Sequence, residues 1–495
     1  MNVGYTAHIR KFNFRLIMHV TGILLLMMAC MMVLPIAASF YYHDGVQYDL
    51  MLAAVATLLI ALLFRNILGY DPDYVISERE SFWFTSVLWL IVPLTGALPL
   101  LFTGITDNFT DALFESVSGF TTTGSSVLHE RLDDVPESVL VWRSVTQLVG
   151  GLGLVLLVIA TLRQLRIGSM PLYDSEFSGT VQKKLHPHIA ISVRRMWITY
   201  FLGVTLLFVL LLLCGNRTLD AFAIAVSTVS TGGFTASSDG ISQLNGLSIA
   251  IVTLFMFLSG VNIALRYQMI SGKGREMWRD QEFRTYATAF CVMVAVSVAT
   301  FALQGHWGWN TLRYALFHTA STMSTCGLEL NSPALPPTLI RVSTILLMII
   351  GASAGSTGGG IKWKRIIALA QYVRNYFVNM LHPRAVRSVK IDHFIISKDY
   401  LNKILAFVFL FIFFLIIGTF VLIIYGYSLP CAFCVAAANI SNLGPSPIIA
   451  EVGCTVNYAT MPLMAKWTLM ALMLLGRVEI FAFVAIFSPA YWRRG

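Results

Sequence analysis

The sequence predicts an all-α membrane protein that crosses the bilayer many times. Three observations carry this prediction: an apolar composition, ten apolar stretches of helical length, and four similar short segments between them. Of the 495 residues, 57% are apolar and only 12% are charged, whereas a soluble domain is about 45–50% apolar and about one quarter charged. So few charged residues could not cover the surface of a soluble protein of this length. A soluble enzyme is therefore not expected. The high hydrophobicity also excludes disorder.

Ten stretches approach the roughly 20 apolar residues that a membrane-spanning helix needs. They lie near 16–42, 48–68, 81–103, 139–162, 195–214, 247–270, 286–304, 338–375 (interrupted), 400–425 and 461–488. The first stretch follows Arg10, Lys11 and Arg15, as the core of a signal peptide would. It is too long for such a core, so we expect it to be retained. The first two stretches predict a separate hairpin within residues 1–76.

The positions of Lys and Arg predict the orientation of the chain. With a cytoplasmic N-terminus, 27 of the 34 basic residues fall in cytoplasmic segments. This asymmetry follows the positive-inside rule and places both termini in the cytoplasm. Topology thus explains the formal net charge of +9, and nucleic acid is not an expected partner. The basic segment 362–403 is the best predicted docking surface for a soluble partner.

The seven cysteines lie mostly inside apolar stretches. Their odd number does not predict a disulfide framework. Cys431 and Cys434 have CxxC spacing, but no second motif supports a zinc or redox site.

Four short segments on the predicted outer side, each between two spans, align without gaps. They read DALFESVSGFTTTG from Asp111, DAFAIAVSTVSTGG from Asp220, YALFHTASTMSTCG from Tyr314 and CAFCVAAANISNLG from Cys431. We call them segments 1 to 4. Each has a helix-compatible stretch, then Ser or Thr, then Thr or Asn, one variable residue and Gly. The two cysteines of the CxxC pair thus fall at ordinary helix positions.

A helix this short cannot span the bilayer, so each segment is expected to enter the membrane from outside and return. Its C-terminus, which carries about half a negative charge, would point towards the membrane centre and favour a cation. The carbonyl groups that follow could replace the hydration shell of a monovalent ion, and glycine permits the backbone angles required. The predicted filter residues are Thr122, Thr123, Gly124, Thr231, Gly232, Gly233, Thr325, Cys326, Gly327, Asn442, Leu443 and Gly444.

The alternative is that Gly, Ser and Thr only pack helices closely, as they often do in membranes. Four segments with one spacing favour a filter built by four repeated span–pore loop–span units around one pore. The predicted units cover 77–170, 190–275, 280–380 and 395–495. Arg143 and Gln147 could bond carbonyl groups that support the filter. Glu115 could add negative potential or accept a structural hydrogen bond.

The interrupted eighth stretch predicts an obstruction below the filter. We call residues 351–360 the glycine-rich loop. A straight helix is not expected there, because each glycine costs about 1 kcal/mol relative to alanine. A phosphate-binding loop is excluded, because Ile361 stands where lysine is required. The glycines of the loop are Gly351, Gly355, Gly358, Gly359 and Gly360.

Arg477 lies deep in the last stretch, where a charge costs at least about 2.5 kcal/mol without a partner or a wet cavity. At about 1.5 Å of rise per residue, Gly351 lies roughly 20 Å and Arg477 roughly 24 Å below the outer face. We therefore predict that the glycine-rich loop and Arg477 meet below the filter and form a gate. The alternative is that Arg477 is only a structural staple. Glu479 points elsewhere on the helix and is expected to satisfy another group.

These motifs resemble one family. The four filters, WRSVTQLVGGLG from Trp142, GASAGSTGGGIKWKR from Gly351 and LGRVE from Leu475 are similar to the membrane subunit of bacterial Trk potassium-uptake systems (TrkH-like). Its superfamily includes the Ktr subunits and the plant HKT transporters. The resemblance covers essentially the whole chain, and the extra N-terminal hairpin is similar to Trk rather than Ktr subunits. The fourth filter departs most from Thr-x-Gly, as is usual in this family.

The resemblance implies potassium as the ion, because Gly124 is present where serine accompanies sodium transport in plant relatives. It also implies a homodimer in the bacterial inner membrane and a gate at the glycine-rich loop and Arg477. A cytosolic, nucleotide-binding, TrkA-like regulatory subunit would open this gate. This chain shows no nucleotide site of its own, and no organic cofactor is expected in it.

The sequence therefore predicts potassium uptake through a gated, channel-like pore. The main alternative is a symporter that couples potassium to protons or sodium. A membrane-embedded enzyme is not supported, since no HExxH pair, clustered intramembrane carboxylates or nucleophile motif occurs in the sequence. An organic-solute carrier of the inverted-repeat type would show two matched halves rather than four matched segments.

Overall fold

The computed structural model describes residues 14–66, 78–151, 153, 189–382, 387–392, 394–444, 456–478 and 480–489. Over these ranges the chain is mostly helical, with one two-stranded hairpin of β1 (Lys390–Ile391) and β2 (Phe394–Ile395). Six helices among them are long and apolar enough to cross a membrane, and a helix pair bent by 116° would be a seventh crossing. The predicted polytopic helical membrane fold is confirmed, whereas the count of ten spans stays a prediction. Glu479, Arg10, Lys11 and the end of the fourth stretch lie outside the described residues.

The N-terminal hairpin consists of α1 (Phe14–Met31), α2 (Val33–Tyr42) and α3 (Gln47–Asn66). Helix α1 packs along α3 because Gly22 lets the two backbones touch. A Cβ atom on Gly22 would lie 2.6 Å from the backbone nitrogen of Arg65. Close contacts at small residues of this kind hold helices together in a bilayer, where burial of apolar surface gives no driving force.

Four groups of helices follow. The first group is α4 (Glu78–Gly96), α5 (Leu98–Phe102), α6 (Phe109–Phe120) and α7 (Glu137–Gly151). The second is α8 (Ile189–Leu213), α9 (Thr218–Ser230), α10 (Gly246–Ser259), α11 (Ile263–Ile270) and α12 (Gly274–Arg279). The third is α13 (Gln281–Leu303), α14 (Trp309–Ser324), α15 (Thr338–Ile350) and α16 (Trp363–Leu381). The fourth is α17 (Lys398–Ile424), α18 (Leu429–Ile440), α19 (Leu463–Arg477) and α20 (Phe481–Phe487). Helices α6, α9, α14 and α18 coincide with segments 1 to 4, and we call them the pore helices.

The four groups pack around one centre. Helix α7 packs against the next pore helix, α9, and in the same way α10 packs against α14, α15 against α18, and α19 against α6. The last of these contacts joins the fourth group to the first. A buried ion pair between Lys466 of α19 and Asp111 of α6 reinforces it. The pore helices therefore form a closed ring, in the order 1-2-3-4.

Polar side chains are concentrated inside this ring, and apolar side chains cover its outside. Eleven of the 12 residues of α6 are buried, among them Glu115 and three hydroxyl residues. The long helices instead expose large apolar side chains such as Leu206, Val292 and Phe409. This arrangement suits a molecule surrounded by lipid, because lipid cannot hydrogen-bond polar groups.

In each group, a helix that follows the pore helix ends or bends after only 13–15 residues, fewer than the roughly 20 that a straight crossing needs. Helix α7 ends at Gly151, α10 and α11 meet at a 116° bend, and α15 gives way to the glycine-rich loop. Helix α19 ends at Arg477. The sequence predicted only the third of these interruptions.

Cys431, at the start of α18, is disulfide-bonded, a bond that the odd cysteine count did not indicate. Cys434 is a free thiol, so the CxxC pair is not the bonded one. Disulfides persist in oxidising compartments, which agrees with the outward orientation predicted for segment 4.

A larger side chain at Gly22 should force α1 away from α3. We expect Gly22→Val to lower the Tm of the detergent-purified protein by several degrees, because overpacking of this kind costs about 1–3 kcal/mol. Gly274→Ala is the matched control, since no described atom lies within 4 Å of a Cβ placed there. Equal Tm values for the two variants would contradict the close packing of the hairpin.

Candidate functional site

The four segments share one uncommon backbone conformation. The Thr or Asn of each motif has a positive φ: 52° at Thr122, 59° at Thr231, 58° at Thr325 and 54° at Asn442. The glycine two residues later also has a positive φ in every segment, between 74° and 90°. A β-branched residue such as threonine rarely adopts this conformation, and holding it there costs about 1–3 kcal/mol. The same cost at the same place in all four segments indicates a functional requirement.

Three of the four filter glycines are required because a carbonyl group of the neighbouring segment lies where a side chain would be. A Cβ atom on the glycine would come under 3.0 Å from that carbonyl oxygen, closer than real Cβ atoms approach. The contacts run from Gly124 to Gly232, from Gly233 to Cys326 and from Gly444 to Thr123. They join segments 1 to 2, 2 to 3 and 4 to 1, so the filters interlock in the same order as the pore helices.

Gly124, Gly233 and Gly327 line one cavity of about 200 Å³ together with acidic residues, among them Glu329. At its rim, the hydroxyl and backbone N–H of Ser238 both donate to Asp133. These hydrogen bonds lower the pKa of the Asp133 carboxyl below its usual value. Negative charge at the mouth of the cavity favours the approach of a cation.

Two side chains of α7 donate hydrogen bonds to carbonyl groups in segment 2 and just after it. Gln147 donates from Nε2 to the carbonyl oxygen of Gly232 over 2.6 Å, and Arg143 donates from Nη1 to that of Thr235 over 3.1 Å. Both carbonyl contacts expected from the sequence are present. Arg143 is also buried against Glu115, with 2.7 Å between Nε and Oε1. Glu115 is therefore neutralised by arginine and acts as a structural acceptor.

Segment 4 is tied to its neighbours by the side chain that distinguishes it. The Nδ2 atom of Asn442 lies 3.0 Å from the hydroxyl of Thr123 and 2.9 Å from the carbonyl oxygen of Met473 in α19. Leu443 fills the variable position and is buried. The departure from Thr-x-Gly thus adds a hydrogen bond between segments 4 and 1.

The glycine-rich loop lies beneath three of the pore helices. The hydroxyl of Thr357 donates to the carbonyl oxygen of Val229 in α9 over 3.2 Å. The backbone nitrogen of Gly359 donates to the hydroxyl of Thr325, the filter residue after α14, over 2.9 Å. A Cβ on Gly359 would also overlap the carbonyl oxygen of Ser441, just after α18. The loop therefore closes the space below segments 2, 3 and 4.

The loop glycines serve two different purposes. Gly351, Gly355 and Gly360 have φ values of 74°, 73° and 79°, which favour glycine. Gly358 and Gly359 are instead required by close contact, because a Cβ on either would come under 3.0 Å from a pore-segment carbonyl oxygen. Together they let the chain leave α15, pass under the filter and enter α16.

Arg477 connects opposite sides of this space. Its Nη1 donates to the carbonyl oxygen of Thr357 over 2.5 Å, and its Nη2 donates to those of Gly150 over 2.6 Å and Gly151 over 3.2 Å. Thr357 belongs to the third group and the two glycines to the first, and these groups lie opposite each other in the ring. The guanidinium group therefore lies between them, and the predicted meeting of Arg477 with the glycine-rich loop is confirmed.

A pattern that the sequence analysis missed explains why an arginine can reach this position. Each group carries one pair of residues beside the pore helices: Gly150–Gly151 ends α7, Ser259–Gly260 ends α10, Gly358–Gly359 lies in the glycine-rich loop after α15, and Gly476–Arg477 ends α19. In the first three pairs, a Cβ on the second residue would come within 3.2 Å of a serine at the end of the next pore helix. These serines are Ser230, Ser324 and Ser441, the last of which directly follows its helix. Only the fourth pair carries a charged residue at its second position. Alignment of the four helix ends would have revealed this exception.

Among the described residues, no group of three or more His, Cys, Asp or Glu side chains could hold a metal ion. The oxygen atoms that contact the filter glycines Gly124, Gly233 and Gly444 belong instead to backbone carbonyl groups. Such oxygens coordinate monovalent cations in selective pores.

The family described as "TrkH: Cation transport protein" matches residues 52–494. The Trk system potassium uptake protein TrkH of Salmonella typhimurium is 31% identical over 493 residues, which cover 97% of this chain and 100% of that protein. TrkG of Escherichia coli K12 is 31% identical over 504 residues, with 99% of each chain covered. The crystal structure of the potassium transporter TrkH from Vibrio parahaemolyticus matches with a TM-score of 0.87 at 26% identity, covering 97% of this chain and 100% of that one.

The contact between segments 1 and 2 can be tested at Gly124. We expect Gly124→Ser to raise the ratio of sodium to potassium uptake by about tenfold, because displacing a filter carbonyl changes the cage around the ion. Uptake would be measured in proteoliposomes with each ion in turn. Gly426→Ser is the matched control, since Gly426 has the same φ of 90° but no described atom within 4 Å of its Cβ position. An unchanged ion ratio in Gly124→Ser would exclude Gly124 from the filter.

Proposed function

Because the chain belongs to the TrkH family of cation transport proteins, we propose that it takes up potassium across the bacterial cytoplasmic membrane. Its relatives are named as potassium uptake proteins and as a potassium transporter, and these names describe transport rather than catalysis. Both termini would lie in the cytoplasm. The ten predicted stretches would form an N-terminal hairpin and four span–pore loop–span units around one pore.

The interlocked filter is the observation that supports this function most strongly. Four pore helices meet at one centre. Each is followed by a Thr or Asn with a positive φ and, two positions later, by a glycine with a positive φ. The helix C-termini supply partial negative charge, and the ring of carbonyl groups can replace the water around a dehydrated ion. The filter residues of all four segments would thus bind potassium as the transported substrate.

The loop and arginine beneath the filter would act as the gate. A positive charge about 4 Å from a passing cation raises its energy by about 4 kcal/mol at an effective dielectric constant of about 20. The glycine-rich loop adds a steric obstruction below three of the pore helices. Opening would require Arg477 to leave the carbonyl groups of Thr357, Gly150 and Gly151, and the loop to move aside.

We further propose that the protein works as a homodimer controlled by a cytosolic, nucleotide-binding, TrkA-like subunit. The names of its relatives place them in a Trk system. The basic segment 362–403, which contains α16 and the β1–β2 hairpin, is the proposed docking surface. Any nucleotide would bind to the partner rather than to this chain.

Removal of the Arg477 charge should increase ion flow. We expect Arg477→Ala to raise rubidium flux into proteoliposomes by about tenfold or more, since the barrier of several kcal/mol and three hydrogen bonds are lost. Arg217→Ala is the matched control, because Arg217 is an exposed arginine paired with Glu137 far from the filter. A flux no higher than that of the unmodified protein would show that Arg477 is only a structural staple.

Channel-like flow and coupled symport can be separated by the reversal potential. We expect the current through the protein in planar bilayers to reverse at the Nernst potential of potassium, because each ion passes the filter independently of other solutes. The potential would be measured while the proton and sodium gradients are varied. A reversal potential that shifts with either gradient would favour symport.

A further inference from the structure

A buried carboxylate outside the filter holds the glycine-rich loop in place. Glu282 is the second residue of α13 and is only 5% exposed. Its Oε1 atom accepts a hydrogen bond from the backbone nitrogen of Ala354 over 2.6 Å and another from that of Lys364 over 3.2 Å. A glutamate side chain keeps an oxygen that can accept such hydrogen bonds in either protonation state. One oxygen atom therefore joins two backbone positions ten residues apart.

These two positions bracket the part of the loop that lies under the filter. Between them lie Thr357, whose carbonyl oxygen accepts from Arg477, and Gly359, whose nitrogen donates to Thr325. The segment from Ala354 to Lys364 is therefore anchored to α13 at both of its ends. While both hydrogen bonds hold, the loop cannot straighten or swing away from the pore axis without stretching its own backbone.

We propose that Glu282 is a positioning residue that clamps the glycine-rich loop in its closed position. The inference rests on the proposed function of that loop as a gate. Loss of the clamp leaves the filter untouched, because Glu282 bonds Ala354 in the loop and Lys364 just after it rather than a filter residue. It destabilises the closed loop alone and shifts the equilibrium towards the open state.

The clamp lies next to a contact with the cytoplasmic hairpin. Gln281, the neighbour of Glu282, donates from its backbone nitrogen to Asp392 over 2.8 Å and accepts from the backbone nitrogen of Asp392 over 3.2 Å. Asp392 forms the turn between β1 and β2 with a φ of 52°. Displacement of this hairpin would pull on the start of α13, and through it on Glu282. The clamp thus provides a mechanical route from the proposed docking surface to the gate.

The test compares three substitutions at Glu282 by rubidium flux into proteoliposomes without a partner subunit. We expect Glu282→Ala to raise basal flux about tenfold, which corresponds to about 1.4 kcal/mol in the balance between closed and open states. Glu282→Gln should remain within about threefold of the unmodified protein, because the amide oxygen accepts the same two hydrogen bonds. Glu282→Asp, which is too short to reach both ends, should also raise flux and replaces the alanine variant if that one does not fold. Glu276→Ala is the control, an exposed acidic residue of the preceding helix α12.

Two further readouts separate a clamp from general damage. The ratio of sodium to potassium uptake should stay unchanged in the alanine variant, because the filter is intact. The double variant of Glu282→Ala and Arg477→Ala should raise flux by less than the product of the two separate effects, since both substitutions act on one loop. Basal flux in Glu282→Ala equal to that of the unmodified protein, or an altered ion ratio, would overturn the clamp. If Arg477→Ala raises rubidium flux and Glu282→Ala does not, the proposed pore is supported and the clamp is contradicted. If no variant conducts rubidium, the proposed function itself is contradicted.

Discussion

Three of the four filter glycines, Gly124, Gly233 and Gly444, leave room for a carbonyl group of the next segment, and the rest of the structure depends on that contact. Backbone of this kind at membrane depth is tolerated only where protein buries it or where it lines a wet cavity. Side chains hold it in place: Gln147 bonds a carbonyl group of segment 2, Arg143 bonds one just after that segment, and Asn442 bonds segment 1. The ion pair of Lys466 with Asp111 joins the fourth group to the first. The strained left-handed threonines persist because their neighbours leave no other place for the chain.

The filter and the loop beneath it share a residue. Thr325 contributes to segment 3 and also accepts the hydrogen bond of Gly359. Movement of the loop would therefore leave a buried hydroxyl of the filter without this partner, at a cost of about 1–3 kcal/mol unless water or an ion replaces it. An ion or water molecule entering from the filter could satisfy the hydroxyl. The energetics of loop movement and of ion occupancy are then coupled.

Periodic features of this protein could be predicted from the sequence, and features that depend on one long-range contact could not. The spans follow from apolar length, and the four segments from their common spacing. The meeting of Arg477 with the glycine-rich loop follows from the rise of a helix, because depth along two helices is simple to count. The breaks at Gly260 and Gly476 were missed, since one glycine does not end a helix by itself. Glu282 was missed because its partners are backbone nitrogens, which carry no sequence signal. The disulfide of Cys431 was missed because an odd cysteine count was judged for the whole chain and not for each side of the membrane.

The exception in the four helix ends has a consequence for how such a pore can be regulated. A channel assembled from four identical subunits must place any side chain near its axis four times, and four guanidinium groups there would exclude cations in every conformation. A single polypeptide that supplies all four quadrants can change one of them alone. Here three quadrants keep the small residue that lets the helices converge, and the fourth carries one arginine. In the proposed pore, covalent linkage of the quadrants would thus permit a single charge beneath the filter, which one movement could withdraw.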